Sequence, residues 1–166
     1  MKTLSDDIPG IMSHGHINDF ELAFRFTMGE EGVKFDEFGN VIDSGLNNNP
    51  NDPGGITNFG FAQHFNKDID VTKLTFSQAK QRAWARYWVL SDADRLPWPV
   101  NIIMFDTYFN QSPEEAHNLR LASNWEDMLW ARLAQYASKH PLDPKFMRTW
   151  LNRVLHLRMY ILDRGH

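Results

Sequence analysis

Helix-start signals recur along this chain from residue 75 to its end, and they confine any sheet to a short stretch before that point. Thr75-Phe76-Ser77-Gln78 is a capping box, in which a hydroxyl and an amide side chain each satisfy the other's free backbone N–H. It predicts a helix running to Val89. A further helix is predicted over residues 97–111, whose apolar face carries Val100, Ile103, Met104, Phe105 and Tyr108. Ser112-Pro113-Glu114-Glu115 places a cap, a first-turn proline and two acids where a helix N-terminus favours them. Asn124 opens another helix to about Ser138, and Asp143-Pro144 opens the last, which reaches Arg164 with Gly165 beyond.

Ahead of these segments the pattern changes. Residues 1–17 hold Pro9, Gly10 and Gly15 without periodicity and read as an irregular arm. Residues 18–31 form the first clear helix. Asn18 caps it, Glu21 stands in the capping-box place, Phe20, Phe24 and Met28 supply its apolar face, and Gly32 stops it. Gly39-Asn40 between short apolar runs predicts a two-residue hairpin turn. Residues 46–55 are dense in Asn, Pro and Gly, and read as a loop. The expected class is α+β, mainly α, with a small β-hairpin element after the first helix.

Composition removes several alternatives. Of 166 residues, 42% are hydrophobic, with twelve Phe and six Trp, enough for a sizeable core and too many for a disordered chain. Without cysteine there is no disulfide framework, thiolate zinc site or Cys nucleophile. The start has no apolar core of a signal peptide, and no stretch approaches the roughly 20 apolar residues of a membrane span. Synthesis in a cytoplasm without membrane insertion is therefore expected. The net charge of −4 hides a basic end, with Lys145, Arg148, Arg153, Arg158 and Arg164 against Asp163. That suits an anionic polymer and equally a solvated helix face.

No phosphate loop, dinucleotide fingerprint, His-Glu-x-x-His or Gly-x-Ser-x-Gly occurs, and the seven His lack metal-ligand spacing. Asn47, Asn49 and Asn51 alternate like calcium-loop ligands, but the loop lacks the glycine and the bidentate Glu it needs. No metal or other cofactor is expected, nor nucleic acid. What remains is carboxylate chemistry. Glycoside hydrolysis takes one carboxylic acid to protonate the leaving oxygen and a second carboxylate to activate water or attack the anomeric carbon. Glu31, at the end of an aromatic-rich helix where the chain must turn, can project into a cleft as an acid whose pKa burial raises. Glu30 points about 100° away round the helix. Which of the two faces a cleft stays open on sequence, as does the plainer reading of two solvated glutamates.

Glu31-Gly32-Val33, followed by Asn51-Asp52-Pro53-Gly54-Gly55-Ile56-Thr57-Asn58-Phe59-Gly60, resembles the defining motif of glycoside hydrolase family 108. This is a family of phage and bacterial N-acetylmuramidases. Ala83-Trp84-Ala85-Arg86-Tyr87-Trp88 is similar to the family's helix ending in Tyr-Trp, and Phe105-Asp106 with Asn110 to its next helix. Trp150-Leu151-Asn152-Arg153-Val154 resembles part of the peptidoglycan-binding region that usually follows. The resemblance spans roughly residues 19–160.

It implies a lysozyme-like fold and cleavage of the β-1,4 bond between N-acetylmuramic acid and N-acetylglucosamine in peptidoglycan glycan strands. Carried over residue by residue, Glu31 is the general acid, while Asp52 and Thr57 hold the attacking water, an inverting geometry with carboxyls roughly 6.5–9.5 Å apart. The plainer alternatives are an Asx turn for Asp52 and a local backbone bond for the Thr57 hydroxyl. Gly54 and Gly55 would let backbone approach the sugar, Asn58 would bond acetamido groups, and Phe59, Trp84, Tyr87 or Trp88 would stack on sugar faces. At helical spacing such aromatics also make a core.

The chain departs from the pattern in three places. Val33 replaces a second glycine, Thr149 stands where Gly precedes Trp150, and the spacer from Glu31 to Asp52 is longer than the family's. The long spacer leaves Asp36 or Asp43 as alternative second carboxylates.

The resemblance implies an arm at 1–17, a catalytic lobe at 18–96 and a helical peptidoglycan-binding lobe at 97–166, packed as one unit and expected to be monomeric. A phage lysis enzyme, made in the host cytoplasm and released to the cell wall through a permeabilised membrane, fits best. The rivals are a catalytically inactive peptidoglycan-binding or virion protein, and a related chitinase or lytic transglycosylase.

Overall fold

A computed structural model of the chain describes residues 14–48, 55–139 and 144–164. The expectations for residues 1–13, Asp52 and Gly54 lie outside them. The order is helix α1 (His14–Glu30), strands β1 (Lys34–Phe35), β2 (Val41–Asp43), β3 (Thr57–Asn58) and β4 (Phe61–Ala62), then helices only. These are α2 (Phe76–Ala83), α3 (Val100–Asn110), α4 (Pro113–Leu119), α5 (Trp125–Lys139) and α6 (Pro144–Asp163). The class is α+β and mainly α, the arrangement expected of a lysozyme-like domain.

Local signals account for most boundaries. Thr75 and Gln78 form both halves of the capping box that opens α2, and the Ser112 side chain accepts from the Glu115 amide at the start of α4. Helix α1 begins at His14, so residues 14–17, expected in the irregular arm, are its first turn. Helix α2 ends at Ala83 and passes into a wider π-helical turn over Trp84–Trp88, closed by the Val89 amide on the Trp84 carbonyl (3.0 Å).

Among the described residues the sheet component is two antiparallel hairpins, β1–β2 and β3–β4, with a single bridge between Asn47 and Thr57. The first does not turn on a two-residue Gly39-Asn40 loop. Asp36 and Asn40 close a three-residue loop instead, and Gly39 takes a left-handed φ of +83°. The Asp36 carboxylate accepts from the Phe38 and Asn40 amides, which makes the longer loop the better-bonded one. The second hairpin turns on Phe59 and Gly60, both at positive φ (+50° and +74°) as a two-residue turn of this hand requires.

Helix α3 is the centre of the molecule, buried without a break from Asn101 to Thr107 and packed against α1, α4 and α5. Phe20 of α1 meets Trp84, Trp88 and Phe105 edge-on, with ring centroids 4.9, 5.4 and 6.0 Å away. Such pairs add about 0.5–1.5 kcal/mol each beyond their area. The buried apolar residues form one cluster that runs from Phe20 to Ile161, so α6 shares its core with α1. Among the described residues no helix is long and apolar enough to cross a membrane.

Candidate active site

Helix α1 stops in a way that fixes where Glu31 points. The Val33 amide donates to the Met28 carbonyl (3.0 Å) and the Gly32 amide to the Gly29 carbonyl (3.1 Å), the two bonds of a Schellman end. The left-handed residue this end needs is Gly32, at φ +89°. Val33, which takes the place of a family glycine, has no positive φ to bear and is buried beside Met28 in the core. Glu31 is thus the last residue before the chain reverses. Its neighbour Glu30 turns to α6 and meets His156 Nδ1 at 2.9 Å.

Glu31 opens into a cleft of about 710 Å³. One wall is the second hairpin with Asn66, another the π-helical turn with Arg86 and Tyr87, and a third the junction of α3 and α4 around Tyr108 and Gln111. Phe65 and Leu90 stand exposed at its rim. Gly60 presses directly on the acid. A Cβ there would lie 2.8 Å from Glu31 Cγ and 3.0 Å from the Phe109 ring. Gly45 plays a similar part behind it, since its Cβ would lie 3.2 Å from the Glu31 carbonyl oxygen.

The other side of Glu31 is a buried charge cluster. Arg153 Nη1 donates to Glu31 Oε1 (2.8 Å), with 7% of the arginine side chain and 22% of the glutamate side chain exposed. The same guanidinium grips Asp106 through Nη2 (2.7 Å) and Nε (3.1 Å). Asp106 also accepts from the Thr27 hydroxyl and forms an ion pair with Arg132 Nη1, each at 2.7 Å. Arg132 continues to Gln111 Oε1 (3.0 Å) and to the Tyr136 hydroxyl, which bonds Asn110. Gln111 and Asn110 both line the cleft.

Burial pushes the Glu31 carboxyl up from its ordinary value. The Arg153 charge and hydrogen bond oppose this, and the charges of Asp106 and Glu30 add to it. Asp106 goes the other way. Burial alone would raise it, but the Arg153 and Arg132 charges, with bonds from Arg153 and Thr27, hold it far below the usual carboxylate range. Burial also raises the Tyr87 hydroxyl.

The residues singled out by sequence fall in different places. Glu31 and Tyr87 line the cleft. Thr57 is half-buried in β3, 3.5 Å from the Gly55 carbonyl through its hydroxyl, and pairs across the hairpin with Ala62, a cleft residue. Gly55, at φ +72°, stands two residues ahead of β3. Asn58 is buried and donates to the Val71 carbonyl (2.8 Å), Phe59 packs on Phe76, and Trp88 is fully buried. These three face the core rather than the cleft. Asp36 spends its carboxylate on the hairpin loop, and Asp43 binds Lys34 and the Gly45 amide. Sequence reasoning did not single out Asp106, Arg132 or Arg153 as site residues, because no local pattern marks partners 26 to 122 positions apart. Among the described residues no group of three or more His, Asp and Glu gathers as a metal site would need.

A family model described as glycosyl hydrolase 108 matches residues 24–111, which hold the end of α1 from Phe24, both hairpins and the whole of α2 and α3. The chain belongs to the glycosyl hydrolase 108 family. It is a glycoside hydrolase. Comparisons with curated proteins and with solved structures return no match. Helices α5 and α6, which bring Arg132 and Arg153 to the charge cluster behind Glu31, lie past the matched segment.

Proposed function

We propose that this glycosyl hydrolase is an N-acetylmuramidase that cleaves the β-1,4 bond between N-acetylmuramic acid and N-acetylglucosamine in peptidoglycan, with Glu31 as general acid. The observation that carries the reading is the Glu31 carboxyl itself, mostly withdrawn from water, raised by burial and open to an aromatic-walled cleft. In the proposed reaction the Glu31 proton passes to the bridging oxygen and the bond from that oxygen to the anomeric carbon breaks. A water oxygen joins the anomeric carbon from the opposite face and gives its proton to a second carboxylate. Asp52, with Thr57 holding the water, is the proposed partner. Asp36 and Asp43 are poorer ones because hairpin and lysine bonds occupy their oxygens. Residues 18–96 would be the catalytic lobe and 97–166 a peptidoglycan-binding lobe, in a phage enzyme that reaches the wall once the host membrane is permeabilised.

Glu31→Gln tests this. The amide fills the same volume and cannot donate the proton, so clearing of a peptidoglycan suspension should fall by about 100- to 10,000-fold with folding retained. Lysis that survives the change removes Glu31 from the role. Product masses separate the rivals: hydrolysis leaves reducing muramic ends, a transglycosylase leaves anhydro ends, and a binding protein releases nothing.

A further inference from the structure

Arg153 is the side chain that reaches the Glu31 carboxyl from behind, and it comes from α6, beyond the family-matched segment. We propose that Arg153 is a positioning residue for the acid: it dictates which Glu31 oxygen carries the proton and stabilises the carboxylate left when that proton is given up. The inference rests on the reading of Glu31 as proton donor.

A protonated carboxyl has one O–H and one oxygen that only accepts, whereas a guanidinium only donates. The oxygen 2.8 Å from Arg153 Nη1, Oε1, must therefore be the accepting one, which leaves the proton on Oε2. The guanidinium cannot swing away, because Asp106 holds it by two bonds and is itself fixed by Thr27 and Arg132. One buried carboxylate faces two guanidiniums there, so Asp106, Arg132 and Arg153 together carry one net positive charge. That charge does little for a neutral acid and much for the anion it becomes, so its effect grows along the reaction.

Other polar groups surround Glu31 without taking this part. From α1 there is Glu30, engaged with His156 of α6. Tyr108 comes from α3 beside Asp106, and Arg86 and Tyr87 come from the π-helical turn. The β3–β4 turn brings Gly60, which has no side chain to titrate.

The test is the pH dependence of lysis together with a carbon-13 NMR titration of the Glu31 carboxyl, which needs no turnover. In Arg153→Met the carboxyl midpoint and the alkaline limb of activity should both move up by about 1–3 pH units, with a lower maximal rate. Arg153→Lys keeps the charge and should hold the midpoint near that of the unaltered protein while lowering the rate. If Arg153→Met does not fold, the double change Arg153→Met with Asp106→Asn removes one buried charge of each sign and should show a smaller upward move, because the Asp106 charge that raises Glu31 is lost as well. A folded variant without Arg153 whose midpoint stays in place overturns the proposal, and so does a lysine variant that moves as far as methionine. Activity in Glu31→Gln would instead remove the acid assignment, leaving the NMR midpoints to stand by themselves.

Discussion

At Gly60 the chain has no space for a methyl group, and its φ of +74° already disfavours any other residue. The first atom that a methyl would strike is Cγ of Glu31, 2.8 Å away. Gly60→Ala should therefore act twice: about 1–2 kcal/mol of stability lost to the left-handed backbone, and lysis reduced about 10- to 100-fold by the displaced acid. Gly32→Ala is the control, because its φ is also positive yet nothing lies within 4 Å of the added carbon. Gly60→Ala should melt at the lower temperature, since its added carbon also strikes Glu31 and Phe109, and turbidity assays should place the two variants far apart. Equal activities would mean that Gly60 serves the turn alone. At this scale the sequence motif located Glu31 and the glycines round it well. It could not say that Asn58 would turn its amide onto Val71 or that Trp88 would vanish into the core, since both depend on what packs above them.

Short-range bonding explains why helix starts were readable and the first hairpin was misread. A cap needs only residues three apart, and Thr75 with Gln78 forms the expected pair. Thr75→Ala should cost about 1 kcal/mol, seen as a lower urea midpoint, with lysis of the folded enzyme unchanged because α2 contributes nothing to the cleft wall. A loss of lysis at temperatures where the variant is folded would tie α2 to the site. In the first hairpin, Gly39-Asn40 signalled a tight turn, but the Asp36 carboxylate bonds the Phe38 and Asn40 amides and favours a loop one residue longer. The π-helical turn at Trp84–Trp88 had no signal of this kind, yet it presents Arg86 and Tyr87 to the cleft while Trp88 stays buried.

The whole molecule is pinned by the cluster around Asp106, which joins α1, α3, α5 and α6 through Thr27, Arg132 and Arg153. Asp106→Asn leaves two guanidiniums without their shared anion, at a cost of about 3–5 kcal/mol. Its folded pKa lies below the ordinary 3.8, so its contribution is fully present above that value and fades as pH falls toward the folded one. Glu31 has the opposite sign: its raised pKa erodes stability as pH climbs from 4.5 through the folded value. Urea midpoints against pH should show the Asp106→Asn variant both weaker and less sensitive to strong acid; an unchanged acid slope would place the acid sensitivity elsewhere. None of this cluster was readable from spacing, because its members meet only after the helices have packed. That late meeting has a consequence for biosynthesis. The acid and its guanidinium are 122 positions apart, so at about 5–20 residues per second a ribosome needs roughly 6–24 s to deliver the second after the first. A nascent chain can own its carboxyl, its hairpins and most of its groove, and still wait for the final helix before its electrostatics are complete.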